Sequence, residues 1–440
     1  MLNAVAPLLL SLAHAGPVKS VHADHLAHPP PLPARTTHTP APPDTVPPPE
    51  RIVFGYYAPW AGELADLDWA RLTHVAVFNV DLNSDGSVSG MSGWDTLGPE
   101  AVALAAPHGV RVHLALTCFD EDVMDDVLPN AALRAGLVST LGNAVDRAGA
   151  DGVSVDCEGV PSHLRDPLTA LVVELQARVD EVSIATPAID WTGAFDYAAL
   201  SEHADQIFIM GYGYHWAGGN PGPVAPLHGG SPWNDWSLSN TVDTYIDGGA
   251  DPARIVLGLP LYGRTWPSTD TSIPGTATAN GTSVTMVEGI ALAATHGRSY
   301  DTVTDTPYTF PSSTEQTWYD DHDSVQVKVR WAVETGLGGV GFWALNYEGN
   351  DPAFWQMITD ETTGLSPEDP ADSGDSGAGG SSSGGGTGGT GDDTHATDSG
   401  YLTEPKGTRV GSGMPSCAGG AFGWVALLGL GGWVRRRHGA

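Results

Sequence analysis

Between residues 51 and 363 the chain carries eight short, near-continuous runs of apolar and β-branched residues, and longer stretches of helical character separate them. The runs are Ile52–Tyr57, His74–Asn79, Val110–Leu116, Gly152–Glu158, Val182–Thr186, Gln206–Met210, Ile255–Leu259 and Val340–Ala344. Strands that are apolar on both faces must be covered on both, and in a chain that alternates strands with helices this means a parallel sheet. Eight such strands predict an α/β fold of the closed (β/α)8, or TIM barrel, type, which takes about 250 residues or more as one domain. Helices are predicted at Pro99–Ala106, Ala131–Ala148, Asp166–Val179 and Ser324–Thr335. The gap between the seventh and eighth strands, about Thr265 to Asp323, is rich in Thr, Ser, Gly and β-branched residues. It is expected to form a small α+β insertion on the barrel rim.

The ends have other compositions. Residues 1–15 are mostly apolar and finish in Ala13-His14-Ala15, a small-x-small site, so a signal peptide is expected. Residues 16–50, with Pro29-Pro30-Pro31-Leu32-Pro33 and Pro47-Pro48-Pro49, are expected to be an extended, partly polyproline linker. His22, His25 and His28 have a spacing that could suggest a metal site, but such an arm offers no further ligands, and no metal is expected. Residues 364–415 are mainly Gly, Ser, Thr and Asp, and cannot bury enough apolar surface to fold. Residues 416–440 hold Cys417, an apolar run and Arg435-Arg436-Arg437, and are expected to act as an anchor or sorting segment that contacts membrane or sorting machinery. The tail resembles the C-terminal sorting tails of myxobacterial surface proteins. A secreted or surface-anchored monomer is the expectation.

Charge and cysteines narrow the function. A formal net charge of −33 leaves no basic footprint for nucleic acid, whereas a neutral polymer remains open as a substrate. The three cysteines, Cys118, Cys157 and Cys417, match neither a disulfide scaffold nor a zinc pattern. Cys118 and Cys157 lie at the ends of neighbouring strands and could pair in an oxidising compartment; two separate buried thiols are the expectation. Asp81-x-Asn83-x-Asp85-Gly86 has the opening of a calcium loop, but position twelve is Ser92, not Glu, so it reads as a turn.

The chemistry concentrates in Asp151-Gly152-Val153-Ser154-Val155-Asp156-Cys157-Glu158, the fourth barrel strand. Strand alternation puts Ser154, Asp156 and Glu158 on one face and Val153, Val155 and Cys157 on the other. Two carboxyl groups two residues apart repel and titrate together, so one can stay protonated near neutral pH and act as a general acid. Acid pairs on solvated faces are common in a chain with 52 Asp and Glu residues. Here, however, the other strands end in aromatic segments: Tyr56-Tyr57-Ala58-Pro59-Trp60, Met210-Gly211-Tyr212-Gly213-Tyr214-His215-Trp216, Gly258-Leu259-Pro260-Leu261-Tyr262-Gly263-Arg264 and Gly338-Gly339-Val340-Gly341-Phe342-Trp343. Barrel active sites lie at the C-terminal ends of strands, and acids ringed by Trp and Tyr suit a sugar polymer.

Together these segments resemble glycoside hydrolase family 18, the chitinase-like barrels, over about residues 51–360. Asp151, Gly152, Asp156 and Glu158 match the family's Asp-Gly-x-Asp-x-Asp-x-Glu; Met210 and Tyr212 match Met-x-Tyr; Gly338, Gly339 and Trp343 match Gly-Gly-x-x-x-Trp. Gln316-Thr317-Trp318-Tyr319-Asp320-Asp321, followed by Ser324 and Lys328, is similar to the branch with bacterial spore-cortex and cell-wall glucosaminidases. The resemblance implies substrate-assisted retaining hydrolysis of β-1,4 bonds next to N-acetylglucosamine, in chitin or peptidoglycan, without metal or cofactor. It implies Glu158 as acid and then base, Asp156 orienting the substrate acetamide, and Tyr212 donating to it. Asp151 and Ser154 would support these residues. Trp343 would form the sugar floor, and Met210, Tyr57, Phe78 and Arg264 would complete the binding site. Two positions depart from the pattern: Ser154 replaces the middle Asp, and Gly213 replaces the Asp that follows the Tyr. Other readings are a barrel that binds chitin or peptidoglycan with weak or no chemistry, and endo-β-N-acetylglucosaminidase action on glycoproteins.

Overall fold

The computed structural model describes residues 20–32 and 49–363. The expected signal peptide, the Gly/Ser/Asp-rich stretch, Cys417 and the C-terminal segment lie outside these residues. Among the described residues, no helix is long and apolar enough to cross a membrane.

In chain order the elements are α1 (Val21–Ala27), β1 (Ile52–Tyr57), β2 (His74–Leu82), β3 (Val88–Ser89), α2 (Met91–Ala105), β4 (Arg111–Cys118), α3 (Glu121–Val127), α4 (Ala131–Ala148), β5 (Gly152–Cys157), α5 (Arg165–Gln176), β6 (Glu181–Pro187), α6 (Tyr197–His203), β7 (Gln206–Met210), α7 (Leu238–Asp247), β8 (Ile255–Pro260), β9 (Tyr262–Pro267), β10 (Thr282–Thr285), α8 (Met286–His296), β11 (Ser299–Asp301), β12 (Thr306–Ser312), β13 (Glu315–Trp318), α9 (His322–Glu334), β14 (Gly339–Trp343) and α10 (Pro352–Thr362). Strands β1, β2, β4, β5, β6, β7, β8 and β14 pair in parallel in that order, and β1 closes on both β2 and β14, so the sheet is an eight-stranded parallel barrel with helices around it.

Each barrel strand coincides with one of the eight apolar runs to within a few residues. The barrel interior is packed with rings: Phe208 of β7 lies 5.5 Å from Phe54 and 5.0 Å from Tyr56. A Cβ at Gly341 of β14 would collide with that Phe208 ring, so glycine there makes room for it. The Asp81–Gly86 stretch is the hairpin turn between β2 and β3: Asn83 N–H donates to the Ser87 carbonyl at 2.9 Å and Asp85 Oδ1 accepts from Ser87 N–H at 2.9 Å.

Between β8 and α9 the chain forms a five-stranded antiparallel sheet, β10-β9-β13-β12-β11, with α8 against it. Thr285 caps α8 in a capping box with Glu288, so the helix start is fixed locally. The insertion rejoins the barrel through a buried ion pair of Lys328 with Asp320, whose Oδ1 also accepts from Ser324 Oγ at 2.6 Å.

Four expectations are corrected. Helix α2 begins at Met91, not at Pro99; Pro99 is exposed in mid-helix, and Trp94 anchors the early turns by donating from Nε1 to the Ala144 carbonyl at 3.1 Å. The stretch expected to be an extended, partly polyproline linker contains helix α1, capped by Ser20 Oγ accepting from Ala23 N–H at 2.9 Å and followed by three prolines. Cys118 and Cys157 are not separate thiols but a disulfide: β4 and β5 place them in register with Cα atoms 4.5 Å apart. Finally, Asp151 lies before the start of β5, at the opposite end of the barrel from Glu158. There it pairs with Arg111 at 2.6 Å and accepts from Val112 N–H at 2.7 Å.

Candidate active site

The C-terminal ends of the strands deliver the site. Strand β5 carries Asp156, fully buried, on the same face as Ser154, and the chain leaves the strand at Glu158, whose N–H donates to the Cys118 carbonyl at 3.1 Å. Trp343 ends β14 and is fully buried; Tyr212 follows β7 directly. Phe78, in the middle of β2, meets Trp343 edge-on at 5.0 Å, and Trp60 meets both Phe78 and Trp343. Met210 shares the inward face of β7 with Phe208. Tyr57 is turned to the loop after β1, where its hydroxyl donates to the Gly62 carbonyl at 2.8 Å. Arg264 is buried on β9. The fold thus gathers Asp156, Glu158, Tyr212, Trp343, Phe78 and Arg264 at one mouth, and leaves Asp151 out.

Ser154 does not bond to Asp156. Its hydroxyl pairs with the Tyr56 hydroxyl at 2.7 Å, and Asp156 Oδ1 is buried without a hydrogen-bond partner. Glu158 is raised from its ordinary 4.5 to about 7; burial is the largest cause, repulsion from Asp156 the next, and His22 and Ser20 pull the other way. A carboxyl group in that state keeps its proton at mildly acidic pH, as a general acid requires. Burial, then the neighbouring Tyr262, Tyr56 and Asp156, holds the Tyr212 hydroxyl well above its ordinary 10.0, so it remains a neutral donor.

Helix α1 lies in this mouth. His22 Nδ1 bonds to Asp156 Oδ2 at 2.7 Å and Nε2 to the Tyr212 hydroxyl at 2.7 Å, while the ring stacks on Trp343 at 3.7 Å. Ser20 Oγ donates to Glu158 Oε1. Trp343 Nε1 donates to His25 Nδ1 at 3.0 Å, and His25 Nε2 bonds to Ser283 Oγ at 2.9 Å. Asp24 lies 3.5 Å from Arg264 Nη1. His28 is exposed, so the structure separates the three histidines. Beside α1 remains a cleft of about 300 Å³ lined by Trp60, Phe78, Asn79, Trp94 and Leu26. None of Ser20, His22, Asp24 or His25 is suggested by the barrel motifs. The signal available was Ser20 as a helix cap with the proline run as a stop.

Two described clusters bring metal-ligand types together, His22–Asp156–Glu158 and His74–His113–Glu181. In each, the ring nitrogens already have hydrogen-bond partners in the protein.

Three comparisons with known proteins place the chain. YdhD of Bacillus subtilis (strain 168), which carries the name of a sporulation-specific glycosylase, is 28% identical over 254 residues, 54% of this chain and 57% of YdhD. The cortical fragment-lytic enzyme of Bacillus anthracis is 22% identical over 66% of this chain and 68% of its own length, and Chitinase C of Streptomyces lividans is 24% identical over 47% of this chain and 35% of its own. The chain therefore spans little more than half of YdhD and about a third of Chitinase C. Among solved structures, a chitinase from Cycas revoluta in complex with (GlcNAc)3 superposes with a TM-score of 0.64 at 19% identity, covering 70% of this chain and 99% of that one. The Group IV chitinase of Ostrinia furnacalis in complex with allosamidin does so with a TM-score of 0.64, over 70% and 98%. Both share the barrel fold. The family model for glycosyl hydrolases family 18 matches residues 52–348, and the chain belongs to that family.

Proposed function

We propose that the protein hydrolyses β-1,4 bonds next to N-acetylglucosamine in chitin or peptidoglycan, with Glu158 as acid and base and the substrate's own acetamide as nucleophile. One observation carries this reading: a carboxyl group raised to about 7 stands beside a second, buried carboxylate, with a neutral tyrosine hydroxyl and a tryptophan face around them. Glu158 gives its proton to the glycosidic oxygen as the bond to the anomeric carbon breaks. The acetamide oxygen attacks that carbon, and Asp156 and Tyr212 hold the acetamide and stabilise the charge that develops on it. Trp343 offers its face to the sugar. Glu158, now ionised, takes a proton from water, and the water opens the cyclic intermediate with retention.

Ser154 supports a version of this chemistry with a single charge beneath Glu158. It cannot take a negative charge as an aspartate there would, and Tyr56 occupies the serine hydroxyl instead. The names of the cortical fragment-lytic enzyme and of YdhD favour bacterial cell-wall glycan, and the chitinases favour chitin. Product analysis decides between them. The chain and its Glu158→Gln variant are incubated with chitooligosaccharides and with peptidoglycan, and the released fragments are read by mass spectrometry. Products from the parent and none from the variant support the reading. Equal products from both remove Glu158 as the acid.

A further inference from the structure

The segment that precedes the barrel takes every partner the proposed chemistry needs. His22 bonds to Asp156 and Tyr212, the two groups assigned to the acetamide, and its ring lies 3.7 Å from Trp343, where the sugar face would stack. Ser20 holds Glu158, Asp24 lies against Arg264, and His25 takes the Trp343 indole N–H. His22 and His25 have no solvent exposure. No sugar ring can stack on Trp343 while the His22 ring is there.

Gly213 adds an independent observation. Its φ is +79°, and a Cβ built on it would lie 3.4 Å from Val21 Cγ2. A side chain at this position would start in contact with Val21. The departure from the family pattern after Tyr212 is therefore the position over which α1 packs.

We propose that residues 20–28 are an intramolecular plug, a competitive inhibitor of the barrel that occupies the place of the bound sugar and its acetamide. The inference rests on the function proposed above. Val21–Ala27 is too short to be a stable helix alone, so its order comes from the mouth it fills. The chain between α1 and β1 tethers it there. Tethering of this kind gives an effective concentration on the order of millimolar, so substrate displaces the plug only when its concentration relative to its own dissociation constant exceeds that ratio for the plug, or when the tether is cut. Cutting within residues 33–48 makes inhibition bimolecular and reversible by dilution.

Three forms of the full-length chain test the plug: the parent, His22→Ala, and a form with a specific protease site inserted in residues 33–48. Two readouts are taken, chitooligosaccharide and peptidoglycan hydrolysis, and amide hydrogen exchange of residues 21–28. The parent is expected to protect amides in this segment, where Asp24 N–H donates to the Ser20 carbonyl and His28 N–H to the Asp24 carbonyl, and to hydrolyse slowly. His22→Ala is expected to lose the protection and gain roughly tenfold or more in kcat/KM, as removal of a hydrogen bond to a charged group implies. The cut form is expected to gain activity on dilution. Unprotected amides in the parent, or equal kcat/KM for parent and His22→Ala, overturn the plug. If no form hydrolyses either substrate, the proposed function has failed, and hydrogen exchange alone still decides whether the segment docks.

Discussion

The barrel carries a histidine–carboxylate cluster at each end, and the two are built differently. At the N-terminal end, His74 and His113 both place Nε2 3.1 Å from Glu181 Oε2, Thr73 Oγ1 meets His74 Nδ1 at 2.8 Å, and Ser183 Oγ meets His113 Nδ1 at 3.1 Å. All five residues belong to β2, β4 and β6 or directly precede them, so the strands that form the barrel also complete the cluster. Burial pushes the Glu181 carboxyl up, but the two histidines outweigh it and hold the group well below its ordinary value. At the mouth the balance is reversed: burial and Asp156 raise Glu158, Asp156 Oδ1 has no partner, and the histidine comes from outside the barrel, 134 residues away in sequence. A cluster whose partners are built in stabilises the fold. A cluster whose carboxyl groups are left for an outside partner is available for chemistry.

The largest expected effect is at the mouth. Glu158→Gln keeps the shape and removes the proton, and is expected to lower kcat by about 10²–10⁴-fold in steady-state assays, with little change in thermal stability. The reciprocal result is expected at the other end: Glu181→Gln leaves two buried imidazoles without their anion and is expected to cost about 2–3 kcal/mol in denaturant titrations, with kcat unchanged at temperatures where the variant is folded. Its pH dependence has a definite sign. The Glu181 carboxyl is depressed, so its contribution is present above the ordinary 4.5 and is lost as pH falls below it; the variant is expected to lose that acid-side slope.

A pH profile sharpens the contrast further. Because Glu158 is raised to about 7, the acid form is expected to be lost as pH rises through about 7, and the basic limb of kcat/KM should fall there. A flat profile to well above that value would remove Glu158 as the titrating acid. The smallest effect is expected at Glu348, in the loop that follows β14. Its carboxyl is buried and raised to about 7, first by burial; Trp355 Nε1 donates to Oε1 at 3.1 Å, and Oε2 has no hydrogen-bond partner. A raised carboxyl stabilises below the ordinary 4.5 and progressively less as pH rises through about 7. Glu348→Gln is therefore expected to flatten the fall in Tm over that interval.

The two ends also differ in how far the sequence exposes them. The barrel strands are short runs rich in apolar and β-branched residues, and that pattern marks all eight, including β5, whose one face is apolar and whose other carries the carboxylates. Asp156, Glu158, Tyr212 and Trp343 follow because strand alternation and strand ends fix where they stand. Asp151 reads from the motif as part of the site, yet one strand length carries it to the other end, where Arg111 holds it. The Cys118–Cys157 bridge depends on the register of β4 against β5, which no local pattern encodes. Helix α1 is barely legible: a seven-residue segment in a proline-rich stretch has no periodicity of its own, and the Ser20 cap and the proline stop are its local signals. Local propensity misled at Pro99 as well, where packing of Trp94 extends α2 beyond the expected proline start.

The central claim is that the mouth carboxyl groups do the chemistry. The most direct measurement is the release of N-acetylglucosamine-ended fragments from chitooligosaccharides and from peptidoglycan, at mildly acidic pH, by the His22→Ala chain with and without Glu158→Gln. The account predicts fragments from the single variant and none above background from the double variant. Fragments at equal rates from both, or from neither, would contradict it.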